Sequence, residues 1–193
     1  MHWILLLVFA SSIWQIHADI ANGTITLGIS LTNTPPSNSR VSQAKKILQG
    51  LNFWLEAIGH QSKSIRGQTF QYGLKVLYDN GTSAAIKDNY NTLMLDSTVD
   101  FLLAPVGAEA SNPISILTNS AGRLLVGTSV GSVQFYSGKD FSYSVVAAAT
   151  RCPTVAFPYF RLNNGRRVAL LISQATLTKE ACEGLTDRMV SNC

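Results

Sequence analysis

The sequence predicts an α/β fold: a doubly wound, mostly parallel sheet with helices on both faces. Two observations carry that prediction. Short apolar stretches alternate with longer ones whose apolar residues recur at helical spacing, which is the pattern of successive βαβ units. The apolar stretches are also nearly continuous rather than alternating with polar residues, as strands are when helices cover both faces of their sheet. Composition agrees: 46% of the 193 residues are hydrophobic and 13% are charged, enough apolar surface for a sizeable core and too little charge for a disordered chain.

Taken in order, "ITLGISL" (25–31) reads as the first strand, and "TNTPPSNS" behind it as a loop. Val41, Ala44, Ile47, Leu48, Leu51, Trp54 and Ile58 then recur at helical spacing, with Ser39 placed to cap the start and Gly59 to end it. "FQYGLKVLYD" (70–79) is the second strand, and Asn80-Gly81 turns the chain. A helix over 83–95 follows, with Ile86, Tyr90, Leu93 and Met94 as its apolar stripe. "VDFLLA" (99–104) is the third strand, and a helix is expected from about Asn112, ahead of Pro113. "RLLVGTS" (123–129) is the fourth strand, "FSYSVV" (141–146) a short fifth, and "RRVALLIS" (166–173) a further strong one. A final helix covers 177–190.

The first 18 residues, "MHWILLLVFASSIWQIHA", stand apart. A short apolar centre and a small-residue exit predict a secretory signal peptide cleaved after Ala18, although its start lacks Lys and Arg. No later stretch is long and apolar enough to span a membrane. A secreted chain makes the two NGT sequons, at Asn22 and Asn80, candidate glycosylation sites. The three cysteines, Cys152, Cys182 and Cys193, show no CxxC spacing, so no zinc site is expected. An odd count in an oxidising compartment means one pair plus a free thiol, or a bond to another chain. Cys193, the last residue, is the candidate for an interchain disulfide, to a second copy or to a receptor partner. The net charge of +4 comes from scattered basic residues with only Arg166-Arg167 as a tight pair, which argues against nucleic-acid binding.

Right-handed crossovers place successive strand ends along one edge of the sheet, where ligands of such folds bind. That edge gathers the turns at 32–38, 105–111 and 128–132. The small residues Gly107, Ala108, Ala110 and Ser111 let a ligand approach backbone N–H groups at a helix start. "GTSVGS" adds the hydroxyls of Thr128 and Ser129. The same stretch formally matches the GxSxG nucleophile elbow, which makes a serine hydrolase built on Ser129 the alternative. That motif needs a helix behind it and a histidine later in the chain. "SVQFYSGKDF" lacks a helical period, and the only histidine outside the signal segment, His60, lies upstream. Asp79, Asp96 and Asp100 stand at element ends, where turns commonly place Asp. Phosphate-loop motifs are absent, and no cofactor is expected.

The sequential order of "ITLGISL", "AKKILQGLNFWLEAI", "YGLKVLYDNGTSAAIKDNYNTLM", "VDFLLAPVGAEAS", "RLLVGTSVGS" and "NNGRRVALLIS" resembles the periplasmic-binding-protein type I family. That family includes the leucine-binding-protein-like solute binders and the extracellular ligand-binding regions of receptors. The resemblance covers 25–173. It implies a secreted or extracellular, non-enzymatic protein that holds a small molecule, an amino acid or amine, between two lobes closing like a clamp. It also implies contacts from Gly107, Ala108 and Ala110 after the third strand and from Thr128, Ser129 and Val130 after the fourth. The first lobe would be 19–165, and 166–193 would begin a second, incomplete lobe, giving a truncated clamp. One departure matters. Where the family commonly places hydroxyl residues that hold a carboxylate, this chain has Ala108-Glu109-Ala110, and Glu109 repels an anion at a helix start. A third reading, without a ligand, is an interaction module that pairs lobes in a dimer.

Overall fold

The structure is a computed structural model of the chain, and it describes residues 23–34, 38–59, 63–65, 68–151, 159, 162–163 and 173–191. The signal segment, Asn22, His60, Cys152, Cys193 and all but the last residue of the strand expected over 166–173 lie outside them. Among the described residues the elements are, in order, β1 (Thr24–Thr32), α1 (Asn38–Trp54), β2 (Lys63–Ile65), β3 (Gln68–Asp79), α2 (Ser83–Leu95), β4 (Phe101–Leu103), α3 (Ala108–Ser120), β5 (Leu125–Gly127), α4 (Val133–Tyr136), β6 (Ser142–Ser144) and α5 (Thr176–Ser191). A wider π turn, Leu55–Gly59, continues α1 to the glycine expected to end it.

The strands form one sheet in the order β2-β3-β1-β4-β5-β6. All pairs are parallel except β2 with β3, an antiparallel flap that the sequence pattern did not reveal. The chain steps from β1 to β3 on one side and then to β4 on the other. With right-handed crossovers, that reversal puts the connecting helices on opposite faces.

Two packed layers result, and the strands divide between them residue by residue. On one face Ile29, Leu31 and Leu103 pack with Ala44, Ile47, Leu48 and Leu51 of α1. On the other, Leu102, Ala104 and Leu125 pack with Ile86, Tyr90 and Leu93 of α2, Ile114 of α3 and Phe135 of α4. Neighbours Leu102 and Leu103 thus serve opposite layers, as the two-residue period of a strand requires. Gly28 makes the close approach of α2 feasible: a Cβ there would lie 2.8 Å from Val99 and 3.2 Å from both Leu93 and Leu102.

Two boundaries differ from expectation. The third helix starts at Ala108, not near Asn112, and runs through Pro113. Gly107, with φ at 88°, is its N-cap, a conformation that glycine reaches without strain. The first helical bond, Ser111 N–H to Gly107 carbonyl at 3.0 Å, is already made before the proline. Behind "GTSVG" there is a helix after all, the single turn α4. Four residues are too few to show a period.

Candidate functional site

The strand order reverses at β1, and open α/β sheets bind ligands beyond the carboxyl ends of the strands at such a switch, here β1 and β4. Side-chain hydrogen bonds hold those strand ends. Asp79, buried at the end of β3, accepts hydrogen bonds from Ser30 Oγ at 2.5 Å, Thr32 Oγ1 at 2.7 Å and the Gly81 N–H at 2.8 Å. It ties the ends of β1 and β3 to the turn before α2. Asn89 of α2 joins this network by donating to Ser30 Oγ at 2.9 Å. Tyr90, wholly buried, donates its hydroxyl to the Leu103 carbonyl of β4. Burial pushes its phenol pKa well above the ordinary value, so the group stays a neutral donor. These side chains hold the strand ends together, and Thr32 also lines a cavity of about 280 Å³ between the end of β1 and α1.

The turn after β4 carries Gly107, whose N-cap position has no side-chain hydrogen bond to the first turn of α3. Its backbone N–H groups therefore rely on other partners. Ala108 and Ser111 are buried, and the Ser111 hydroxyl donates to the Pro105 carbonyl at 2.7 Å. Their side chains hold the turn; any contact to a ligand would come from their backbone. Ala110 faces elsewhere, into a groove of about 330 Å³ between α2 and α3 that Ile86, Lys87 and Ile116 also line. Glu109 is exposed in the first turn, where its charge suits the helix dipole and disfavours an anionic ligand.

The turn after β5 lies beside it, because β4 and β5 are paired neighbours. Thr128 and Ser129 are exposed, while Val130 is 1% exposed and belongs to the core with Phe135. Of the seven residues proposed from sequence, Gly107, Thr128 and Ser129 therefore present themselves to solvent at the carboxyl edge. Ala108, Ser111 and Val130 are buried, and Ala110 lines the separate groove between α2 and α3.

Sequence reasoning missed Glu180. This buried residue of α5 reaches the far side of the same turn, accepting from Ser132 Oγ at 2.7 Å, Val133 N–H at 2.8 Å and Gln134 N–H at 3.4 Å. Asn112 of α3 completes the cluster by donating to Ser132 Oγ at 3.2 Å and to Gln134 at 3.3 Å. The turn that carries Thr128 and Ser129 is thus held from behind by a carboxylate. One acidic residue within a predicted helix gives no sequence signal of such a role.

The three aspartates have structural partners. Asp79 is described above, Asp96 caps the end of α2 and pairs with Lys75, and Asp100 accepts from the Thr26 N–H at 2.7 Å. Among the described residues no group of three or more His, Cys, Asp or Glu side chains is placed to hold a metal ion, and no helix is long and apolar enough to cross a membrane.

Comparison with solved structures decides the fold. A solute-binding protein of an ABC transporter from Rhodopseudomonas palustris BisB5, in complex with 3,4-dihydroxybenzoic acid, superposes with a TM-score of 0.72 over 88% of this chain and 45% of its own, at 13% identity. The leucine-binding protein LivK of Thermotoga maritima gives 0.68 over 86% and 46%, at 11% identity. The chain carries a lobe of the type I periplasmic-binding-protein fold. A substrate-binding protein from Sphaerobacter thermophilus gives 0.71 over 88% and 45%, at 17% identity. The chain spans less than half the length of each of these structures. No protein-family model and no curated protein matches the sequence. The type I lobe is therefore recognised by its shape and strand order. The proteins that share it here are described as solute- or substrate-binding proteins and ligand-binding receptors.

Proposed function

We propose that this chain is an extracellular recognition lobe for a small organic ligand, in a receptor-like or solute-binding protein. One observation carries the reading. The glycine-capped start of α3 at Gly107 and the exposed hydroxyl residues Thr128 and Ser129 stand on adjacent turns, beyond the carboxyl ends of paired strands and next to the switch in strand order. Backbone N–H groups at Gly107 to Ala110 and hydroxyls at Thr128 and Ser129 supply donors on one wall, and a second lobe supplies the other.

The ligand class follows from what that wall offers. Its N–H donors call for hydrogen-bond acceptors while Glu109 disfavours an isolated anion, so a neutral polar group suits this wall better than a carboxylate, and an amine would have to donate to Glu109 or to the Thr128 and Ser129 hydroxyls. An amino acid, as in the leucine-binding likeness, or a hydroxylated aromatic acid, as in the Rhodopseudomonas complex, would turn its non-anionic end toward it. Secretion after cleavage at Ala18, glycans at Asn22 and Asn80, and a disulfide from Cys193 to a second copy or a receptor partner belong to the same proposal.

Treating the secreted chain with a serine-directed fluorophosphonate separates this reading from the hydrolase alternative. The binding reading expects Ser129 to stay unlabelled, since a hydroxyl without a base is a poor nucleophile. Stoichiometric labelling at Ser129 would overturn it.

A further inference from the structure

A separate cavity lies against the edge strand β6. This groove, of about 470 Å³, is lined by Lys139, Ser142, Tyr143 and Arg151, among others, and by neither Thr128 nor Ser129. Its volume is within the range of small-molecule sites. Lys139 and Arg151 both line it, Arg151 with an interaction partner of its own, and no carboxylate lines it among the described residues. Asp140, next to Lys139, is not part of the lining; its carbonyl accepts from the Tyr143 hydroxyl at 3.0 Å.

Ser142 is the telling residue. It is 2% exposed, lines the groove, and its hydroxyl has no hydrogen-bond partner within the protein. Two residues on, Ser144 Oγ donates to the Val130 carbonyl at 2.5 Å, as a buried hydroxyl ordinarily does. A ligand oxygen would satisfy the donor that Ser142 leaves unused. Lys139 is also partly withdrawn from water, and burial lowers its pKa below the ordinary lysine value. Its ammonium donates to the Gln134 carbonyl, which occupies one of three N–H donors. A bound anion would offset its lost hydration. Tyr136 and Tyr143 give the groove aromatic walls.

We propose that this groove binds a small organic oxyanion, a carboxylate or a phosphate monoester, with its charged head against Lys139 and a hydrogen bond from Ser142. The inference is independent of the carboxyl-edge turns, since the groove shares no residue named for them. The test is an amide chemical-shift titration of the secreted chain at low ionic strength with inorganic phosphate, benzoate and phenyl phosphate. Saturable shifts are expected at residues 139–151, with the ring-bearing anions binding more tightly than inorganic phosphate. Lys139→Gln should weaken phenyl phosphate about tenfold and Ser142→Ala about threefold. Added salt should weaken binding to the unaltered chain as well, a readout that survives if a variant fails to fold. Absence of saturable shifts with all three probes, or shifts indifferent to salt and to Ser142→Ala, would overturn the proposal.

Discussion

The carboxylate of Glu180 accepts a hydrogen bond from the Ser132 hydroxyl at 2.7 Å, across 48 residues of sequence, and joins α5 to the turn before α4. The contact is buried and charged, and it is reinforced by the Val133 N–H at 2.8 Å. Glu180→Ala should cost about 2 kcal/mol, the value of hydrogen bonds to a charged group, and should raise hydrogen exchange at both 131–136 and 176–184. Gly184 seats the same helix: a Cβ there would meet the Thr150 backbone at 2.3 Å. Gly184→Ala should therefore release α5 as well, and the double variant should lose less than the sum of the two. Unchanged protection at 131–136 in Glu180→Ala would contradict this docking.

Asp79 anchors the ends of β1 and β3 through three donors. Asp79→Ala strands two hydroxyls and an N–H in a buried site and should destabilise the protein by about 3 kcal/mol. Asp79→Asn retains an accepting oxygen and should cost clearly less. Equal melting temperatures for the two variants would show that the hydrogen-bond network contributes little.

Lys75, with help from Thr98, holds the Asp96 carboxyl well below the usual aspartate range. The ionised form therefore favours the fold. Its contribution is present above the ordinary aspartate pKa of about 3.9 and is lost as pH falls through the lower folded-state value. A carbon-detected titration of Asp96 should find a depressed pKa in the native chain and one nearer the ordinary value in Lys75→Met. The pair is partly exposed, so salt should narrow the difference.

The alternation of strands and helices was legible because nearly continuous apolar stretches bounded by turn residues, such as "FQYGLKVLYD", differ from the 3.6-residue stripe of the helix at 83–95. The turns after β4 and β5 were legible for the same reason, since strand ends in a parallel sheet share an edge. What the sequence hid was short or distant. A one-turn helix and the three-residue β2 show no period. Ala108 is already helical because Gly107, rather than Pro113, starts α3. Sequence spacing alone also did not distinguish Ser129, exposed on its turn, from Ser111 and Val130, buried beside it. That distinction depends on which face of each turn the core occupies.

Asn80 is exposed, and its Oδ1 accepts from the N–H and hydroxyl of Thr82 at 3.1 Å and 2.8 Å. The amide nitrogen, where a glycan attaches, is not the atom that holds this turn. Material from a eukaryotic secretory host should begin at Asp19 and carry a glycan at Asn80, removed by Asn80→Gln with little change in melting temperature. An intact Met1, or an unmodified Asn80 in such material, would contradict the secretory reading.

The central claim is that the carboxyl-edge turns form one wall of a ligand site. A single wall leaves a ligand half in water, where two or three hydrogen bonds of about 1 kcal/mol each give millimolar or weaker affinity. The direct measurement is an amide chemical-shift map of the chain titrated with leucine, small amines, 3,4-dihydroxybenzoate and 4-hydroxybenzoate to tens of millimolar. At least one of them is expected to shift Gly107, Thr128 and Ser129 together, weakly and without saturating below about a millimolar. Tight, micromolar binding abolished by Ser129→Ala would show a site complete within this lobe, and the absence of any shift at those three residues would contradict the claim itself.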